Sequence, residues 1–396
     1  MQLTQALTRA VQTRHRFAAT LYKHRQRSWA QVGERVPRLA AGLRALGLRP
    51  GDRLAVLAFN SDNYIELFFA AAWANLVIVP LNTRWAIPEN VYSLQDAGCA
   101  GLVVDDGFAA QVPELLKGHP MDRVVHMGDA PTPAGMQAYE ALIARTPPMA
   151  DECGRDDELC GIYYTGGTTG HPKGVMLSHK NFIAASINWI ATLHFSDQTR
   201  YMHSAGLFHL AGASPAFALT LAGGTHVCLP KFDAVLAFEA IQTHRVNYVL
   251  FVPTMINMML NHPDFERYDL SSVRYCEYGA SPIPDAVLAA GSVATVRLVN
   301  VLLSVSVYCV VNNAVLNVTN VSSLAATATA PNTGASFTAR TVRIKLSDMV
   351  AAPSLAVTSR LSAPLRCCRN ICPSGSASRA RITGIRACST MIWASC

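Results

Sequence analysis

Residues 164–174 read Tyr-Thr-Gly-Gly-Thr-Thr-Gly-His-Pro-Lys-Gly. Four glycines, three threonines and one lysine fall within eleven residues. Glycine lets a backbone approach an anion closely and take up positive φ. Successive N–H groups then form an anion-binding concavity. Thr165, Thr168 and Thr169 add hydroxyls, and Lys173 adds a point charge. Upstream, the apolar run Cys160–Tyr164 predicts a strand; downstream, Ser178 predicts the cap of a helix starting near His179. A strand, a hydroxyl-rich loop and a lysine suit a nucleoside triphosphate. The spacing is not that of the Walker loop, which needs Gly, four residues, then Gly-Lys-Ser/Thr. Here His171 and Pro172 follow Gly170, and Gly174 follows Lys173. A plain surface turn also favours glycine and proline, but it does not require the hydroxyls or the Pro-Lys-Gly end.

Outward from this loop, short apolar runs alternate with helical stretches. Arg53–Phe59 predicts a strand, Ile65–Ala74 a helix, Leu76–Val79 a strand, Pro88–Gln95 a helix and Leu102–Val104 a strand. The pattern resumes at Cys160–Tyr164, His179–Thr192, His226–Leu229, Phe238–Thr243 and Tyr248–Val252. Strands separated by helices imply βαβ units and parallel sheet, an α/β fold. Pro131–Ala150, rich in Pro and Ala, predicts a loop between subdomains. Gly223-Gly224 predicts a hairpin turn. The apolar stretch Tyr64–Leu81 contains Glu66, Asn75 and Pro80. A buried helix followed by a strand suits it better than a membrane span of about 20 apolar residues. Met1–Arg14 lacks the apolar segment of a secretory signal.

The 164–174 segment resembles the phosphate loop of the AMP-forming adenylating enzymes, which include acyl-CoA synthetases, luciferases and peptide-synthetase adenylation domains. Five further segments resemble that family in order: Val79-Pro80-Leu81-Asn82-Thr83-Arg84, Leu207-Phe208-His209 with Gly212, Gly223-Gly224-Thr225, Val252-Pro253-Thr254-Met255, and Tyr278-Gly279-Ala280-Ser281-Pro282. The likeness runs from about residue 15 to about residue 290. It implies the layered sheets and helices of the family's large N-terminal domain, here incomplete.

The resemblance also implies a two-step reaction. A carboxylate attacks the α-phosphate of ATP to give an acyl-adenylate and pyrophosphate, and a thiol, usually coenzyme A, then takes the acyl group. Thr165, Gly166, Gly167, Thr168, Thr169, Gly170 and Lys173 would hold the β- and γ-phosphates. Thr165 or Thr168 would give one hydroxyl to Mg²⁺, which keeps waters and takes few protein ligands. Gly279, Ala280 and Ser281 would lie against the adenine. His209 would line or gate the carboxylate site as the candidate catalytic residue, although a lone histidine among apolar residues is more often simply packed. Expected partners are a small-molecule carboxylate, with a fatty acid first in line, together with ATP and coenzyme A. A lipid substrate would bring peripheral membrane contact. Scattered cysteines before residue 290 fit a reducing cytoplasm.

Composition changes abruptly near residue 290. The net charge of +7 would suggest an acidic partner. Yet ten of the 33 basic residues and only one of the 26 acids, Asp348, lie in 291–396, leaving 23 and 25 in the rest. The tail is an aberrant Arg-, Ser-, Val- and Cys-rich sequence without Glu, Gln or His, and an irregular structure is expected for it. Its Cys367, Cys368, Cys372 and Cys388 lack the paired spacing of a zinc site. The division expected is thus 1–290, a partial AMP-binding domain, and 291–396, a non-native tail. Where the family's Tyr-Gly-x-Thr-Glu motif should fall, about 25 residues past Ala280, the chain reads Leu303-Ser-Val-Ser-Val-Tyr-Cys. The family's metal-binding Glu, ribose-binding Asp and catalytic lysine are therefore not readable. Shifting the reading frame across Met391-Ile392-Trp393-Ala394 yields Asp-Leu/Met-Gly, which resembles the family's ribose-binding segment. The expectation is a frame shift near residue 290 and a product impaired in catalysis. The alternatives are a non-catalytic nucleotide- or acyl-binding remnant, or activation of an aryl or amino acid. Nucleic-acid binding through the Arg-rich tail ranks last, because the tail lacks interleaved aromatics.

Overall fold

Arg53-Leu54-Ala55-Val56-Leu57 alternates between two cores: Leu54 and Val56 point into one apolar cluster, Ala55 and Leu57 into another. A strand covered on both faces is what a parallel sheet with helices on each side demands. The computed structural model describes residues 1–165 and 171–278, with the backbone of strand 297–300. Other expectations for the tail 291–396 lie outside the described residues.

The described residues form two seven-stranded sheets. The first contains β1 (Ala18–Tyr22), β2 (Arg25–Ser28), β10 (Arg200–His203), β11 (Thr225–Cys228), β12 (Tyr248–Phe251), β13 (Tyr275–Tyr278) and β14 (Arg297–Asn300). The second contains β3 (Arg53–Leu57), β4 (Val77–Pro80), β5 (Cys99–Val104), β6 (Val124–His126), β7 (Gln137–Ala138), β8 (Leu159–Thr165) and β9 (Lys173–Ser178). Strand order is β14-β13-β12-β10-β11-β1-β2 in the first and β7-β6-β5-β3-β4-β8-β9 in the second. Every pairing is parallel except β1 with β2 and β8 with β9.

Ten α-helices accompany the sheets among the described residues: α1 (Thr4–Arg14), α2 (Trp29–Ala45), α3 (Asp62–Trp73), α4 (Ile87–Ala97), α5 (Val112–Gly118), α6 (Tyr139–Arg145), α7 (His179–Leu193), α8 (Leu210–Ala222), α9 (Ala234–His244) and α10 (Pro253–Leu260). Residues of α1, α2, α3, α7 and α8 share one core with inward side chains of both sheets. The outer face of the first sheet packs on α9 and α10, that of the second on α4 and α5. The expected layering of sheets and helices is therefore present. The stretch Tyr64–Leu81 is indeed a buried helix and strand, and none of the helices of the described residues is long and apolar enough to cross a membrane.

Local chemistry sets the helix starts. Ser178 accepts from the Asn181 N–H at 3.3 Å and caps α7, as expected. Ser28, Ser61 and Asp233 cap α2, α3 and α9 in the same way. Glu66 is fully buried in α3 and is held by Arg35 of α2 at 2.8 Å. Arg35 also clasps Glu140 of α6 at 2.7 and 2.9 Å. Burial raises the Glu66 pKa while Arg27 and Arg35 oppose the rise, so an ionisable side chain in an apolar helix serves as a three-helix tie.

Two expectations need correction. Pro131–Ala150 is not a loop between subdomains: it contains edge strand β7 and helix α6, whose Tyr139, Leu142 and Ile143 are buried. Those three side chains fall at i, i+3 and i+4, a stripe too short to stand out among Pro and Ala. Gly223-Gly224 is not a hairpin either. Gly223, at φ +79°, ends α8 and donates to the Leu219 and Thr220 carbonyls before β11 begins. The left-handed backbone explains the glycine; the turn it makes joins a helix to a strand.

Candidate functional site

Tyr164 and Thr165 end β8, and β9 begins at Lys173. The sequence suggested a strand leading through a loop to a helix; the chain instead returns along itself before α7. Thr165 pairs with Lys173 and Tyr164 with Gly174 across the antiparallel ladder. The Thr165 hydroxyl points to the Lys173 carbonyl at 3.4 Å. Thr165 and Lys173 are both exposed and stand opposite each other at the mouth of the Gly/Thr-rich segment. Gly166, Gly167, Thr168, Thr169 and Gly170 lie outside the described residues.

The neighbouring packing stiffens this hairpin. The Tyr164 hydroxyl donates to Asp96 of α4 at 2.6 Å, and His171 stacks on Tyr92 with ring centroids 4.6 Å apart. A Cβ on Gly174 would come within 2.7 Å of Ile162 and 3.1 Å of the Tyr164 ring, so this glycine is required for close strand packing as well as for its place in the motif.

His209 is the N-cap residue of α8. Its ring leans on Phe208, centroids 4.2 Å apart. The side chain reaches the surface, yet neighbouring atoms shed part of its water, and this, with Arg84, lowers its pKa. At neutral pH His209 is therefore an uncharged imidazole, able to accept or donate one hydrogen bond. Gly279, Ala280 and Ser281 lie outside the described residues, but they follow Tyr278 at the end of β13.

Strand direction relates these segments. β8 runs parallel to β4 and β3, and β13 runs parallel to β12 and β10. The Thr165 segment thus leaves the carboxyl edge of the second sheet. His209 and Gly279 follow strands leaving the carboxyl edge of the first. Asn60, just after β3, hydrogen-bonds to the chain just after β10, so the two carboxyl edges meet there. Ligands of open α/β sheets bind outside such edges. The sequence reading missed Asn60, Asp96 and Tyr92; an Asn between a strand and a Ser cap reads as an ordinary turn residue.

For Mg²⁺, the described residues offer the exposed Thr165 hydroxyl and no group of three or more His, Cys, Asp or Glu that could hold a metal ion. A single hydroxyl donor suits an ion that keeps several of its waters.

Residues 7–302 match the family described as AMP-binding enzyme. The chain is 37% identical over 258 residues to a feruloyl-CoA synthase of an Amycolatopsis species, covering 65% of this chain and 50% of that protein. It is 34% identical over 263 residues to the long-chain-fatty-acid–CoA ligase FadD13 of Mycobacterium tuberculosis, covering 66% and 51%. It is 34% identical over 274 residues to an indoleacetate–CoA ligase of Aromatoleum aromaticum, covering 68% and 53%. The inhibitor-bound N-terminal domain of FACL13 from M. tuberculosis superposes with a TM-score of 0.66 at 28% identity, covering 75% of this chain and 74% of that one. The anthranilate CoA ligase AuaEII, solved with anthranoyl-AMP, shares the fold at a TM-score of 0.72 and 24% identity over 75% and 59% of the two chains. This chain spans about half the length of the curated relatives it matches. A family match over residues 7–302, on two sheets that meet at their carboxyl edges, places the chain in the AMP-binding enzyme family.

Proposed function

We propose that this chain derives from an AMP-forming acid–thiol ligase and retains its nucleotide-binding half. The observation that carries the reading is the β8–β9 hairpin, which sets Thr165 opposite Lys173 across the Gly/Thr-rich segment. In the proposed reaction a carboxylate oxygen attacks the α-phosphorus of ATP and the bond to the β-phosphate breaks, releasing pyrophosphate. The thiol of coenzyme A then attacks the acyl carbon and AMP leaves. Both first-step reactants are anions, so the protein's task is charge neutralisation and positioning. Lys173 and the Thr165–Gly170 segment hold the departing β- and γ-phosphates. Thr165 offers its hydroxyl to a Mg²⁺, which when bound neutralises phosphate charge. Neutral His209 lines the carboxylate entrance, and Gly279–Ser281 lie against the adenine.

A fatty acid is the first substrate class to test and aryl acids the second, because the relatives include ligases named for both. The location proposed is cytoplasmic, with membrane contact only through a lipid substrate. The missing Tyr-Gly-x-Thr-Glu motif and the composition of 291–396 support a second element of the reading: adenylation by this chain is impaired.

Calorimetry with ATP·Mg and pyrophosphate exchange with fatty and aryl acids test both elements. The expected result is saturable ATP binding, weakened about tenfold or more in Lys173→Ala through loss of a charge-assisted phosphate contact, with no exchange above background. No ATP binding would overturn the nucleotide reading. Robust exchange would overturn the impairment.

A further inference from the structure

Asn60 is 2% exposed. Its Nδ2 donates to the His203 carbonyl at 3.1 Å and to the Ala205 carbonyl at 2.9 Å, and its Oδ1 accepts from the Leu207 N–H at 2.8 Å. Its own N–H donates to the Pro230 carbonyl at 3.1 Å. One side chain from the second sheet therefore satisfies three backbone groups in the turn after β10 of the first sheet. Its backbone ties the same point to the chain leaving β11.

Asn60 is itself held on both sides. The N–H of Phe59 donates to Asp105 at 2.8 Å, and Ser61 caps α3. Asp105 follows β5, the neighbour of β3. Between β3 and β5 the strand order of the second sheet reverses direction, a place where doubly wound sheets commonly leave a ligand crevice. Here Phe59 and Phe108 bring their rings within 4.9 Å at those strand ends, and the next residue turns its amide to the other sheet.

The 203–207 turn leads directly to Phe208 and His209. We propose that Asn60 is the positioning residue of that segment, fixing from across the sheet boundary where Phe208 and His209 meet the carboxylate substrate. The proposal rests on the reading of residues 207–209 as an acyl site. Asparagine is the side chain the geometry requires: it supplies two donors and one acceptor in a plane. Aspartate keeps the acceptor but sets a charge against two carbonyl oxygens, and alanine takes their partner from the Ala205 carbonyl and the Leu207 N–H, while the His203 carbonyl keeps only the Leu229 N–H at 3.3 Å.

The test uses the full 396-residue chain carrying Asn60→Ala or Asn60→Asp, with dodecanoate and ATP as calorimetric probes and hydrogen exchange read at the Leu207 amide. In Asn60→Ala, Leu207 exchange accelerates and dodecanoate binding weakens, each by about tenfold, while ATP affinity stays within about twofold. If Asn60→Ala does not fold, Asn60→Asp decides. It weakens dodecanoate binding at pH 7 and recovers part of the loss at pH 5, where a protonated carboxyl again donates to one carbonyl. Unchanged Leu207 exchange and acid affinity in the alanine variant, or no loss and recovery in the aspartate variant, would overturn the proposal. So would parallel loss of acid and ATP binding with faster exchange throughout β3 and β10, the mark of a merely structural residue. If the unaltered chain binds no dodecanoate, the acyl-site reading fails for that acid and the exchange data alone decide: acceleration confined to Leu207 supports positioning, and its absence overturns it.

Discussion

His203 and His226 show how a buried polar pair settles its own protonation. The Thr220 hydroxyl donates to the Ala216 carbonyl at 2.9 Å, so toward His226 Nε2, at 3.1 Å, it accepts. His226 Nδ1 is then the acceptor for His203 Nε2–H at 2.9 Å. Both rings are fully buried and stacked, and burial takes the His203 pKa down to about 3 and that of His226 well below the ordinary value of 6.5. A neutral folded histidine that protonates once unfolded contributes stability above pH 6.5 and loses it as pH falls toward 3. Asp105, raised to about 6 by burial, works in the opposite sense, so the clean measurement is a difference between variants. His203→Gln should reduce the rise of unfolding free energy between pH 4 and 6 by about 1.4 kcal/mol per pH unit, read from urea titrations. An unchanged slope would mean that His203 is not held neutral. None of this was legible beforehand: His203 and His226 are 23 residues apart in sequence, and only the parallel pairing of β10 with β11 makes them neighbours. Lys173 and the threonines stand out as candidates because the phosphate-binding role proposed for them draws on adjacent residues.

Among elements, α6 tells the same story from the side of composition. Glycine and proline mark turns by backbone preference, and the reading of Pro131–Ala150 as a loop followed that preference. The apolar stripe Tyr139, Leu142, Ile143 lies across α2, where a Cβ on Gly42 would come within 2.9 Å of Leu142. A seven-residue helix is marginal alone and forms because tertiary packing holds it. Leu142→Ala should therefore cost about 2–4 kcal/mol in denaturant unfolding, whereas a loop residue would cost almost nothing. The longer elements were readable because their patterns are self-sufficient: α3 has nine apolar residues in twelve behind a Ser cap, and β3, β5, β8 and β12 are short apolar runs between turns. Strand β9 was missed because half of its residues are exposed and none is buried, so it carries no alternating burial pattern. Its identity comes from pairing with β8.

For the whole molecule, the composition break matters most. The family match reaches residue 302, and β14 at Arg297–Asn300 carries the first sheet past the expected boundary at 290. We propose, from the composition of 291–396, that the frame changes near residue 290. Sequencing the gene across codons 280–310 should reveal family-like coding continuing in another frame; continuous in-frame likeness in independent clones would remove the proposal. The chain's local patterns were enough to establish the α/β class and the family and to single out the Gly/Thr/Lys segment proposed to hold phosphate, because that segment and its companion motifs are each contiguous in sequence. They could not establish which sheet each strand joins, the return of β9 along β8, the neutral histidine pair or the clasp of Asn60 on the 203–207 turn. Those depend on groups up to 207 residues apart being brought within hydrogen-bond reach, and their partners are set by burial: a polar group withdrawn from water must find a partner wherever the packing of two sheets places one.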